Sequence, residues 1–258
     1  MKRSSGHTLV EVLIAMALGL MIVGAAFSLY RSQRMAYTLA ADAARLRDAG
    51  HASLMLIAPQ IQMAGFAPLD APTARAAPGL FGCARGRPGG PDANPVCDPL
   101  ASGSDGLLVR YVGDSISTWP TAAGQASDCL GQGVGGADAG TLIVNRYYAR
   151  TSASTGEPEL YCEGNGRPGV AQPLVEGVER LRLRYRLHGG DGWMDAALLP
   201  AGGWADVVAV ELCVQVRGAP TGRPVRYVDC LGRAVAAPDT RPRLVLRRQV
   251  AIRNQGRT

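Results

Sequence analysis

The carboxylate of Glu11 lies at the start of an otherwise uncharged segment, where an acid is expected to have a chemical role. The eighteen residues from Val12 to Leu29 carry no charge, and Lys2 and Arg3 lie shortly before them. A helix of that length spans about 27 Å, close to the hydrocarbon thickness of a bilayer. A carboxylate at bilayer depth costs up to about 3 kcal/mol, so a plain membrane anchor does not explain it. We therefore expect Glu11 to act through a partner.

Six cysteines form the second group with chemical potential, and all of them lie beyond the apolar segment. Metal binding needs closely spaced pairs of the CxxC type, and the sequence has none. A domain outside the cytoplasmic membrane lies in an oxidising compartment, which favours disulfides. Six cysteines allow fifteen pairings, and sequence alone leaves them open. We favour the nearest-neighbour set, with about 3 kcal/mol from each bond on a chain-entropy estimate: Cys83–Cys97, Cys129–Cys162 and Cys213–Cys230.

Catalytic chemistry has little support in the remaining residues. The three histidines form no recognisable nucleophile–base pattern, and no GxSxG, HExxH or phosphate-loop motif is present. Asp191 and Asp195 flank a glycine-containing turn that could bind Ca²⁺, although solvated turn acids are the simpler interpretation. We therefore predict that the protein is not an enzyme and has no catalytic residues, metal or cofactor.

The basic residues are almost all arginines, and they give a formal net charge of +6. They form no clustered tract or nucleic-acid motif, so DNA or RNA is not expected as a partner. A membrane-anchored head with an adhesin-like binding surface is a separate alternative. In that interpretation Trp193 and Trp204 could stack on a ligand, although packing in the protein core is the simpler role.

A long N-terminal helix is expected to position Glu11. The segment that follows the apolar stretch keeps a helical pattern without a small-residue cleavage site, which argues against a secretory signal. Pro59 predicts that the helix ends or kinks near Ala58, and Gly65 is a suitable stop. One apolar stripe should pack this part of the helix on a sheet: Met35, Leu39, Ala43, Leu46, Gly50, Leu54, Ile57 and Ile61.

The rest of the chain predicts a mainly antiparallel sheet, because no strand–helix–strand alternation is present. Residues 67–99 are rich in proline and glycine and predict an irregular excursion. Residues 225–231 are expected to pair back on the strand at 205–218. Residues 180–187 alternate strictly, which places Arg180, Arg182, Arg184 and Arg186 on one face, either as a solvated face or as a stripe that docks an acidic partner. The other predicted strands cover 106–113, 141–149, 159–163 and 244–254.

The decapeptide from Gly6 to Ala15, GHTLVEVLIA, resembles the class III leader of type IV pilins and type II secretion pseudopilins. The resemblance implies that a prepilin peptidase cuts after Gly6 and that His7 becomes a methylated N-terminus, although the family usually has phenylalanine there. It also implies that Glu11 is the family's assembly glutamate. Paired with the N-terminal amine of a neighbouring subunit, this acid would favour transfer of the helix from lipid into a filament.

Further segments along the chain resemble the minor pilin family PilW, among them 58–66, 80–83, 104–113, 174–187 and 247–254. The resemblance implies a single-pass inner-membrane protein with a periplasmic head, later found at the pilus tip. Implied partners are other minor pilins, the major pilin and a large tip adhesin, within a priming complex that starts pilus assembly. The J-type pseudopilin of type II secretion, usually shorter and less rich in cysteine, is the nearest alternative.

These inferences divide the chain into four parts. The leader covers 1–6, the membrane and filament-core helix 7–30, and the amphipathic stem helix 31–62. A disulfide-containing, β-rich head covers 63–258. The expected fold class is α+β, with the long helix packed on an antiparallel sheet as in pilins.

Overall fold

The computed structural model describes residues 6–68, 77–114, 117–136, 140–200 and 202–254. The chain divides into two compact units, Met1–Ala44 and Arg45–Thr258. Helix α1 covers Leu9–Met63, and its second part, from residue 45 onward, belongs to the second unit. All strand pairs are antiparallel in the part of the chain that is described. The predicted α+β class, one long N-terminal helix with antiparallel sheets, is therefore confirmed.

The second unit contains twelve described strands, which lie in two main sheets and two hairpins. The larger sheet has five strands in the order β1-β4-β5-β6-β7, and the smaller has three in the order β12-β9-β8. The strands are β1 (Leu80–Cys83), β2 (Gly86–Gly89), β3 (Val96–Pro99), β4 (Gly106–Gly113), β5 (Thr141–Thr151), β6 (Pro158–Gly164), β7 (Ala171–Glu176), β8 (Val178–Leu187), β9 (Val207–Arg217), β10 (Arg226–Val228), β11 (Ala234–Ala236) and β12 (Arg243–Ala251).

Two details of the predicted sheet are wrong. The excursion at 67–99 contains three short strands, because β1 pairs with β4 and the strands β2 and β3 form a hairpin. Residues 225–231 do not pair with β9, since β8 and β12 occupy both of its edges. The strand β10 pairs instead with β11. The central position of β9 agrees with its nearly continuous run of buried residues, which is typical of a strand covered on both faces.

The second part of α1 packs one face on the core of the second unit. Four residues of the predicted stripe, Gly50, Leu54, Ile57 and Ile61, are buried there. Gly50 allows close approach, because a Cβ atom at this position would collide with the side chain of Leu246 on β12. A polar contact adds to the packing where Asn145 of β5 donates its amide to the side-chain oxygen of Gln60 at 2.9 Å.

The helix does not end near Ala58 as expected. It continues through Pro59 to Met63, because Pro59 lies on the exposed side, where water can bind the carbonyl left without a donor. The stop comes at Gly65, which has a left-handed φ of 71°. Its N–H donates to the carbonyl of Arg110 at 2.9 Å, and this bond ties the helix end to β4.

The two main sheets meet where Ser104 and Asp105 contact the free edge of β8. The N–H of Asp105 donates to the carbonyl of Leu181 at 3.0 Å, and the Leu181 N–H donates to the Ser104 hydroxyl at 2.9 Å. The buried carboxylate of Asp105 accepts from the N–H groups of Leu183 at 2.9 Å and Arg85 at 2.8 Å. Two side chains therefore satisfy backbone donors of β8 that a further strand would otherwise bind.

A network of arginines and acids closes the end of the small sheet where β8 and β12 begin and β9 ends. The buried guanidinium of Arg243 donates to Glu179 at 2.9 Å and also contacts Asp239. Glu157 accepts from Arg217 at 2.6 Å and from Arg241 at 3.1 Å. The hydrogen bond from Arg243 lowers the pKa of Asp239 from 3.8 to about 2. The bond from Arg217 likewise lowers the pKa of Glu157 below its ordinary value.

These shifts predict loss of stability in acid. A carboxyl whose pKa is lower in the folded protein stabilises it above the ordinary value of 3.8, and this stabilisation disappears as the pH falls toward 2. We expect the melting temperature to fall across this range by about 2–4 °C for each kcal/mol lost. Asp239→Asn should flatten this dependence in thermal melts of the full chain, whereas Asp191→Asn, at an exposed acid without an ion pair, should not. Equal slopes in wild type and Asp239→Asn would contradict the assignment.

Candidate functional site at the helix N-terminus

The first turn of α1 has a capping box formed by Thr8 and Glu11. The N–H of Thr8 donates to Glu11 Oε2 at 2.9 Å, and the N–H of Glu11 donates to the Thr8 hydroxyl at 3.3 Å. A helix start leaves backbone N–H groups without intrahelical partners, and this reciprocal pair satisfies two donors. This role of Thr8 was not predicted, although Thr-x-x-Glu before an apolar run is a recognised sequence signal of it.

The capping box leaves the Glu11 carboxylate accessible. Its side chain is 64% exposed, and the cation candidate nearest to it among the described residues is the His7 Nδ1 atom at 3.9 Å from Oε2. Glu11 Oε1 has no hydrogen-bond donor among the described residues. The carboxylate is therefore oriented at the helix start by the cap and can accept a further cationic donor.

Behind this carboxylate, α1 presents apolar side chains that nothing in the described part of the chain covers. The helix contains an eighteen-residue window with a mean hydropathy of 2.5, and none of that window is buried. Leu20, Ile22 and Val23, for example, are each at least 65% exposed. An uncovered apolar surface of this length favours lipid or the apolar helices of other subunits as surroundings.

The predicted apolar stripe is therefore divided between two surroundings. Its last four residues belong to the second unit and pack against the core of that unit, as described above. Met35 and Leu39, in the first unit, are 63% and 62% exposed. These exposed positions continue the uncovered surface beyond the membrane-length segment.

The cysteines are joined in the structure as nearest neighbours along the chain. The pairs are Cys83–Cys97, Cys129–Cys162 and Cys213–Cys230. The first fixes the β2–β3 hairpin to the end of β1, and the last holds the loop after β10 against β9. The bonds therefore fix loop-rich parts of the second unit to its sheets.

The arginine stripe of β8 has partners within the protein. Arg182 lies 3.3 Å from Asp105 and 2.6 Å from Asp195, and Arg184 lies 3.6 Å from Glu211. These acids provide the counter-charge from within the protein. In the sequence, an acidic partner was one of two interpretations of the stripe. The two remaining members differ, since Arg186 stacks over Trp193 and Arg180 reaches a single carbonyl, that of Ser102.

Other candidates from the sequence have structural roles. Asp195 is bound to Arg182, and the described residues contain no cluster of three or more metal-ligating side chains. Trp204 packs against Phe81 and edge-on against Tyr185, with ring centroids at 5.3 and 4.9 Å, rather than forming an open stacking surface. The Ca²⁺ turn and a binding surface at Trp204 therefore receive no support from the structure.

Models of known protein families match the start of the chain and its C-terminal part. Residues 1–27 match the prokaryotic N-terminal methylation motif, and residues 146–254 match the type IV pilus-assembly protein W model, PilW. The chain thus combines a prepilin-type methylation motif at its start with a match to the PilW model over its C-terminal part. No curated protein matches it. Among solved structures, a type IV-like pilin from Thermus thermophilus is similar at 15% identity, with a TM-score of 0.47, over 83% of this chain and 98% of that one.

The two matched regions contain the residues described above. The methylation motif contains Gly6, His7 and Glu11, and the uncovered apolar helix follows directly. The PilW match begins within β5 and includes β6–β12, so it covers the small sheet and the Cys213–Cys230 bond.

Proposed function

We propose that this protein is a minor pilin that takes part in the priming and tip complex of a type IV pilus. A prepilin peptidase removes residues 1–6, and the amine of His7 is methylated. Before assembly the apolar helix holds the protein in the inner membrane, with its head in the periplasm. Other minor pilins, the major pilin and a large tip adhesin are its partners.

One observation carries the proposal: an oriented, accessible carboxylate lies in the first turn of an uncovered apolar helix. Once the leader is removed, a neighbouring subunit brings a cationic N-terminus that can pair with Glu11 Oε1. In a low-dielectric environment this pair replaces two costly charges with one hydrogen-bonded pair. The capping bond to Thr8 keeps Oε2 occupied and directs the free oxygen outward.

Processing is tested at the residue before the cut. We expect Gly6→Leu to leave the precursor with its leader attached, because a bulky side chain at this position blocks the peptidase. N-terminal sequencing or intact mass of the purified protein measures the result. Gly24→Leu adds the same side chain inside the helix, where a Cβ atom meets no neighbour, and should be processed normally. A mature N-terminus in Gly6→Leu would contradict the proposed cut.

Cross-linking in intact cells, followed by identification of the linked subunits, tests which assembly contains the protein. Minor pilins and the tip protein are the expected partners, and deletion should reduce the number of pili. Cross-links to secretion pseudopilins instead would assign the protein to the J-type position of a type II secretion system.

A further inference from the structure

A cavity of about 270 Å³ lies beside β8, between the turn after β1 and the loop that carries Cys230. Arginine dominates its lining. Asp229 is the single carboxylate there among the described residues, whereas four arginines contribute to the wall, namely Arg85, Arg180, Arg182 and Arg233. None of these arginines has a role in the proposed assembly function.

Two of the four arginines are neutralised by the protein. Arg233 pairs with Asp229 at 3.2 Å. Arg182 pairs with Asp105 and Asp195, as described for the stripe on β8. These two arginines therefore face three carboxylates, and their positive charge is fully compensated within the protein.

The other two arginines, Arg85 and Arg180, form no ion pair within the described parts of the chain. Arg180 donates to the carbonyl of Ser102 at a long 3.4 Å, and both side chains are exposed. They converge on Gly103, since Arg85 Nε and Arg180 Nη2 lie 3.9 and 4.0 Å from the point that a Cβ atom there would occupy. Two like charges that flank one point repel each other unless an anion lies between them.

The backbone of Arg85 is held in an unfavourable conformation. Its φ of 54° is in the left-handed region, and it is the one non-glycine residue with a positive φ that is described. For a residue with a Cβ atom this conformation is unfavourable, whereas glycine adopts it freely. Hydrogen bonds fix it from both sides, through the N–H to Asp105 and through the carbonyl, which accepts from Leu100 at 3.2 Å. Strain at such a position points to a role for the side chain.

Disulfides hold two walls of the cavity. Cys83, two residues before Arg85, is bonded to Cys97, and Cys230, in the lining itself, is bonded to Cys213. A cavity whose walls are covalently fixed loses little conformational entropy when a ligand binds. The uncompensated arginines are thus presented on a preorganised frame.

An adjacent cavity of about 480 Å³ provides an internal comparison. It shares Cys230 and Leu231 with the smaller one, but its two arginines are matched by two acids, Asp195 and Glu211. The lining of the larger cavity thus holds as many acids as arginines, whereas the lining of the smaller one holds four arginines and one acid.

We infer that the smaller cavity is a binding site for a phosphate dianion, either free or as a phosphomonoester. Two uncompensated guanidinium groups match a dianion in charge, and each presents a planar fork of donors that fits phosphate oxygens. A single carboxylate carries one charge and would leave the second arginine unbalanced. The volume also accommodates a small group attached to the phosphate.

Binding is tested by isothermal titration of the full-length mature protein in a neutral detergent with inorganic phosphate, glycerol 3-phosphate and acetate. Saturable binding of at least one phosphate, tighter than acetate, is expected. Equal binding of both phosphates identifies the free anion as sufficient, and binding of glycerol 3-phosphate alone identifies a phosphomonoester as the ligand. Absence of saturable binding by both phosphates, or acetate binding as tight as phosphate, would overturn the inference.

The location of the site is tested with three variants, each of which removes the charge of one arginine. Arg85→Gly suits the left-handed backbone and should keep the fold, and Arg180→Gln changes an exposed side chain. Each should weaken phosphate binding about tenfold or more, which corresponds to about 1.4 kcal/mol. Arg186→Gln is the matched control on β8, since Arg186 stacks on Trp193 outside the cavity, and its affinity should stay close to wild type. An equal loss in Arg186→Gln would show a general charge effect and refute the assigned site.

Discussion

Replacing Asp105 with alanine is expected to destabilise the second unit by about 3–5 kcal/mol, the range found when one partner of a buried ion pair is removed. The carboxylate is 2% exposed and accepts from two backbone N–H groups and from Arg182. Alanine leaves the Leu183 and Arg85 donors without partners where water does not reach easily. Burial raises the pKa of Asp105, which is the cost of desolvation that the three donors offset in part. A domain with about 5–15 kcal/mol of total stability would lose a large fraction of it.

Urea unfolding of the full chain in detergent, followed by tryptophan fluorescence, measures this loss. Asp195→Ala is the matched control, because Asp195 also pairs with Arg182 but is partly exposed, and we expect it to cost about 1 kcal/mol or less. Ser104→Ala removes one acceptor from the same junction and should cost about 1–3 kcal/mol, which gives a measurable value if Asp105→Ala does not fold. A free energy of unfolding in Asp105→Ala equal to that of wild type would contradict the role of this residue in joining the sheets.

The elements that could be predicted are those whose signal is local. The alternation at 180–187 indicates β8, and its apolar members Leu181, Leu183 and Tyr185 are buried as period two requires. The helix, the central strand β9 and the strands at 106–113 and 141–149 follow from similar short patterns. Thr8 and Glu11 also formed a local signal, and the capping box could have been found from their spacing.

The other missed features depend on tertiary contacts that no local pattern indicates. Asp105 contacts Leu183 and Arg182, more than seventy positions later, and no periodicity around Asp105 indicates a junction between sheets. The strands β2 and β3 are rich in glycine and proline, so propensity argues against them, and their pairing depends on tertiary context. Arg85 and Arg180 are also far apart in the sequence, so it could not be predicted that both side chains lie beside Gly103.

Removal of the charge on Glu11 is expected to have the second large effect, on assembly into pili. Glu11→Gln keeps an oxygen that can accept from the Thr8 N–H, since glutamine also forms capping boxes, but it has no negative charge. The variant should therefore retain its helix and its proposed place in the membrane while losing the proposed pair with the amine of a neighbouring subunit. Leaving that amine uncompensated costs about 3–5 kcal/mol, so incorporation should fall about a hundredfold or more at equilibrium.

The ratio of this protein in sheared pili to that in the membrane fraction measures incorporation. Glu176→Gln, at an exposed acid on β7, is the charge-matched control and should incorporate normally.

Thr8→Val separates the charge from the cap. It removes the hydroxyl that accepts from the Glu11 N–H but keeps the carboxylate, and we expect a cost near 1 kcal/mol, corresponding to a change of less than about tenfold. Wild-type incorporation of Glu11→Gln would contradict the charge pair. An equally large loss in Thr8→Val would assign the requirement to the helix cap. Because Glu11→Gln removes the charge and keeps the cap, whereas Thr8→Val removes a capping bond and keeps the charge, their comparison distinguishes a residue that pairs with a neighbouring subunit from one that only starts the helix.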